Sequence, residues 1–114
     1  MLMQGQGGDQ SARQAARWFK LAARKGHVGA AAEFGNMLYE GLGIEREPLE
    51  GLMWLSIAKL ASPGDPTIQA IHEQAFSTAG EDDRRQAMAR AEKWVANRLG
   101  AQAQLEPSTA PLPQ

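Results

Sequence analysis

The sequence predicts an all-α fold, a short α-solenoid built from helix-turn-helix repeats. Three observations lead there. Alanine, the best helix former, occurs 20 times, whereas the β-branched residues Val, Ile and Thr that favour sheets occur nine times in all. Apolar residues recur at helical spacing in five segments, each bounded by Gly, Pro or Asp. The chain also repeats itself. Laying residues 1–27 over 37–63 pairs Met1 with Met37, Leu2 with Leu38, Gly5 with Gly41, Gly7 with Gly43, Trp18 with Trp54 and Ala22 with Ala58, without a gap. A fixed offset of this size marks a solenoid, in which each helix pair must stack on a neighbour to bury its apolar face.

Helix 1 is expected over Ser11–Lys25, with Gly26 as a left-handed C-terminal cap. Arg13, Arg17, Lys20 and Arg24 fall on one stripe of it. Ala15, Trp18, Phe19 and Ala22 fall on the other side and are the expected core face. Helix 2 is expected over Val28–Tyr39, with Ala30, Phe34, Met37 and Leu38 apolar and Gly41 and Gly43 ending it. Helix 3 starts at Pro48, a favoured first-turn residue, and runs to Ala61. It is apolar nearly all round, so it should be the central, most buried helix. Asp65 caps helix 4 with Pro66 in its first turn, and Gly80 stops it. Helix 5 opens on Glu81, Asp82 and Asp83, which suit the positive end of its dipole, and is expected to end near Gly100. Residues 100–114 hold three of the six prolines and little apolar bulk, and are expected to be disordered. The repeats then read as a partial unit at 1–27, a full one at 28–63 and a divergent C-terminal one at 64–99. The matched tryptophans predict equivalent buried sites for Trp18 and Trp54.

Composition narrows the chemistry. There is no cysteine, which removes disulfides, thiolate metal sites and cysteine nucleophiles. The two histidines, His27 and His72, have no zinc-binding spacing, and His72 is expected on the surface of helix 4. Gly5-Gln6-Gly7-Gly8 lacks the strand and the Lys-Ser/Thr of a phosphate loop, and reads as a turn repeated at Gly41-Leu42-Gly43. No catalytic, metal or cofactor constellation can be assembled, and none is assigned. A formal net charge of -1 argues against a protein held to nucleic acid or membrane by overall charge. No apolar run approaches the ~20 residues of a membrane helix, and no basic segment followed by an apolar stretch opens the sequence, which favours the cytoplasm.

Phe34-Gly35, then Tyr39-x-Gly41-x-Gly43, then Trp54 and Ala58, resemble the Sel-one-like repeat, a relative of the tetratricopeptide repeat. Ala15, Trp18, Ala22, Ala23 and Gly26 match the second half of that pattern without departure. In the next unit Gly51 stands where alanine is usual, Lys59 replaces an alanine, and the tyrosine is displaced by one. Bacterial members often close with a Trp-Leu-Ser-x-Ala helix like Trp54–Ala58 and a tryptophan-bearing last helix like that of Trp94. The resemblance covers residues 1–99 and implies the C-terminal portion of a bacterial member. It also implies a non-enzymatic protein-interaction scaffold, with the first helix of each pair lining the concave face.

That implication selects Glu33, Asn36 and Tyr39 of helix 2 as contact residues; separately, because no acidic residue occurs between Asp9 and Glu33, the stripe Arg13, Arg17, Lys20 and Arg24 is a second candidate surface for an acidic protein. A regulatory or accessory domain working only within a longer solenoid is the alternative. Nucleic-acid binding through the basic face of helix 1 ranks lower, because no aromatic is interleaved there for base stacking. Residues 1–7 align with 37–43, so helix 1 lacks a preceding partner helix. It is therefore expected to leave Phe19 and Ala16 or Ala23 partly uncovered and to self-associate through that end.

Overall fold

The structure, a computed structural model, describes residues 4–105, with side chains placed for residues 10–98. Five helices follow in order: α1 (Gln4–Arg24), α2 (Val28–Glu40), α3 (Pro48–Ala61), α4 (Pro66–Thr78) and α5 (Glu81–Leu105). The most extensive packing is α2 on α3, followed by α3 on α5 and α1 on α2. α3 also meets α4. It is the central element, as its all-round apolar sequence requires. Leu52, Leu55 and Ala58 have no exposed surface at all.

The punctuation falls where the residues place it. Gly26 ends α1 with φ +101, and the amide of His27 donates to Ala22 O at 3.0 Å. Gly41 and Gly43, at φ +72 and +78, reverse the chain from α2 to α3. Leu42 N donates to Met37 O at 3.1 Å, and Glu47 N closes the reversal on Leu38 O at 2.8 Å. The Asp65 carboxylate accepts from Thr67 N at 2.9 Å and Ile68 N at 3.2 Å, capping α4 with Pro66 in its first turn.

Small residues decide how closely α2 and α3 approach. A Cβ placed on Gly51 would lie 2.6 Å from Tyr39 N and 2.7 Å from Gly35 O, both backbone atoms. The two helices therefore touch backbone to backbone at Gly35 and Gly51. Beside this crossing, Trp54 fills the space between three helices. Its ring meets Phe34 of α2 edge-on at 6.0 Å and Trp94 of α5 at 5.3 Å.

Three expectations need correction. α1 begins at Gln4 and runs straight through Gly5–Gly8, so the turn expected there is helical. Gly41 and Gly43 turn because the chain must return from α2 to α3 and is pinned by Glu47. Among the described residues no helix stands before Gly5 to return from. α5 continues past Gly100 to Leu105, so residues 100–105 are helical rather than disordered; residues 106–114 lie outside the described region. The third correction is Trp18. It is 72% exposed, whereas Trp54 is 4% exposed. α3 has neighbours on several sides, while α1 packs chiefly against α2.

Candidate protein-binding surface

α1 buries a different stripe from the one expected. Ala16 and Ala23 are in the core, with Ala12 and Phe19 packed beside them. At about 100° per residue these four lie within roughly 60° of arc. Phe19 is half-buried, and neither Ala16 nor Ala23 is left uncovered. The apolar residues that remain outside are Trp18 and Leu21, the latter 53% exposed. The signal was present in the sequence. Among the described residues α1 packs chiefly against α2, which covers only one of its apolar stripes. Only packing showed which.

The uncovered stripe has a defined setting. Leu21 lies between Trp18 and the basic stripe, with Arg17 and Gln14 beside them. Arg13, Arg17, Lys20 and Arg24 are all exposed. On its other flank Trp18 forms one wall of a groove with Phe19 and Ala22. Ala30 and Glu33 of α2 form the opposite wall, and Gly29 and His27 line one end. An indole with an apolar neighbour, a cationic border on one side and a carboxylate across a groove can hold another helix or strand. Aromatic anchors with a polar rim dominate protein interfaces.

The three contact residues expected on α2 separate. Glu33 is exposed and belongs to the groove. Asn36 is half-buried. Tyr39 is buried, not displayed. Its hydroxyl is 2.6 Å from Thr78 Oγ1, which itself donates to Ala75 O, so the phenol donates and ties α2 to α4. Arg46 lies 5.3 Å over the ring and donates from Nε to Tyr39 O at 2.7 Å.

His72 also differs from its expected surface position. It is buried and stacks on Phe76 with ring centres 4.0 Å apart. Neither ring nitrogen has a hydrogen-bond partner, and the nearby Ser56 hydroxyl is likewise unpaired. Burial first, and then the Lys59 ammonium, lowers the imidazole pKa to about 4, against a smaller opposing effect of Glu73. Ser56 and His72 border one cavity without a hydrogen bond between them. A neutral imidazole so weakly basic, with no hydrogen bond to the hydroxyl, is not arranged to activate it. Among the described residues no group of three or more His, Asp or Glu side chains could hold a metal ion, and no helix is long and apolar enough to cross a membrane.

These features define a helical-repeat protein whose α1 displays an apolar, cation-bordered face. The Sel1 repeat pattern matches residues 1–27 and 29–62, more than half of the sequence, and the chain belongs to the Sel1 repeat family. It is 42% identical over 90 residues to the exopolysaccharide production negative regulator of Rhizobium meliloti (strain 1021). It is 40% identical over 90 residues to the protein of the same name from Rhizobium leguminosarum bv. viciae. Each match covers 77% of this chain and 32% of the relative, so the chain spans about a third of the regulators it resembles. No solved structure gives a significant match.

Proposed function

We propose that this chain is a non-catalytic, regulatory protein-interaction module. It engages its partner protein through the α1 face of Trp18 and Leu21 and the groove toward Glu33. The observation that carries this reading is the 72% exposure of Trp18 in a repeat whose matching tryptophan is enclosed. An exposed indole beside an exposed leucine is unfavourable in water and becomes favourable when a partner covers it. Arg13, Arg17, Lys20 and Arg24 form the cationic border that steers an acidic partner. In the isolated chain the same face pairs two copies.

The regulatory part of the reading rests on the two rhizobial relatives, whose names record negative control of exopolysaccharide production. The test is a chimaera in which this chain replaces the matched third of the Rhizobium meliloti regulator. It is expressed in a strain lacking that regulator, and secreted exopolysaccharide is measured. Restored repression, lost again on Trp18→Glu with Leu21→Glu, supports the proposal. Overproduction despite a stable, helical chimaera overturns it.

A further inference from the structure

A second site lies away from the Trp18 face, where the C-terminal ends of α1, α3 and α5 meet the start of α2. A cavity of about 220 Å³ opens there. Its walls are Ala31, Ile57, Ala61, Trp94 and Val95, all apolar, and its polar lining is Arg98 with His27. A cavity of roughly 150 Å³ with walls of this kind is large enough for benzene. This one has room for a somewhat larger body, and Ala61 at its edge is exposed to solvent.

Arg98 is placed with care. It reaches from α5 across to the end of α1, where Nη1 donates to Arg24 O at 2.8 Å and Nη2 donates to Lys25 O. Its guanidinium carbon sits 5.7 Å over the Trp94 ring. A Cβ on Gly26 would come within 2.7 Å of Nη2, so the glycine is what admits the guanidinium. Two of the five N–H groups of Arg98 are used by these carbonyls, and three have no partner among the described residues. No carboxylate lines the cavity, and Arg24 at the end of α1 and Lys25 in the adjoining turn add positive charge.

We infer that this cavity binds a small monocarboxylate, its apolar body of roughly six to nine carbon atoms between Trp94 and Ile57 and its carboxylate on Arg98. Volume selects the body: the space exceeds what benzene needs and falls short of the ~300 Å³ at which drug-sized sites begin. Charge selects the head, because an apolar slot with a partly unpaired guanidinium and no competing acid favours an anion. The site meets the groove beside Trp18 only at His27, shares none of its apolar walls with it, and does not depend on which protein the module binds.

Octanoate and octanol are the probes, titrated into the full chain by calorimetry, with amide NMR signals to locate binding. Octanoate is expected to bind at least tenfold more tightly than octanol, shifting the amides of Gly26, Val28 and Val95. Arg98→Gln is expected to abolish that preference. Because Arg98 also holds the end of α1, a second variant leaves it in place: Ala61→Leu, at an exposed helix end, fills the slot and should weaken octanoate at least tenfold. Absence of saturable octanoate binding overturns the inference. So does octanol binding as tightly as octanoate, an unaffected Ala61→Leu variant, or amide shifts confined to α4.

Discussion

Truncating the two repeat-matched tryptophans one at a time should give very different results. Trp54 buries about 200 Å² of side chain, so Trp54→Ala removes roughly 4 kcal/mol of burial once the retained methyl is allowed for. The edge-on contacts with Phe34 and Trp94 add about 1 kcal/mol each. Against this, the indole N–H is buried without a hydrogen-bond partner, and losing it returns about 2 kcal/mol. The expected net loss is about 4 kcal/mol, within the ~3–5 kcal/mol typical of a large aromatic deleted from a core. Trp18→Ala, at a position 72% exposed, should change stability by no more than about 0.5 kcal/mol. Urea melts followed by far-ultraviolet circular dichroism, at low protein concentration, measure both. A Trp18→Ala loss approaching that of Trp54→Ala would show that α1 is covered on both sides and refute the exposed face. A Trp54→Ala loss below about 1 kcal/mol would refute the three-helix junction around that ring.

Two further outcomes are expected. The folded-state pKa of His72, about 4, lies below its ordinary 6.5, so between these values the unfolded chain binds the extra proton. Stability should be full above pH 6.5 and fall as pH drops toward 4, by about 3 kcal/mol from this group. His72→Leu should remove that portion of the slope; parallel melts of both proteins across the window would show that the imidazole is not held neutral by burial. The isolated chain should self-associate as its concentration rises, measured by light scattering. Trp18→Glu should return it to monomer, and a wild-type chain strictly monomeric throughout would rule out pairing through this face.

Which features could be read along the sequence follows from how local each one is. Helix breaks depend on single residues. Gly26, Gly41 and Gly43 adopt dihedrals that side chains resist, and Asp65 reaches amides only two and three residues ahead. These appeared at their expected places. The family pattern was legible for a similar reason. Gly35 and Gly51 are small because two backbones touch there, and Trp54 is large because three helices leave a space beside them.

The environment of a residue is a different matter. Trp18 and Trp54 are the same residue at the same point of the same repeat, yet one is in water and the other is enclosed. Nothing local distinguishes them; the number of helices packed around α1 and α3 does. Tyr39 and His72 teach the same point. Polar side chains on amphipathic helices are usually assigned to solvent, but Tyr39 finds Thr78 on α4 and His72 finds Phe76 and the wall of α3. The amino-acid sequence by itself determined the five helices, the breaks between them and the repeat, though not the outer ends of α1 and α5, because those breaks depend on contacts within a few residues. Tertiary structure alone decided the Trp18 face and the Arg98 cavity. Both depend on which helices, distant in sequence, pack on one another and which faces that packing leaves open, and that geometry is a property of the assembled chain.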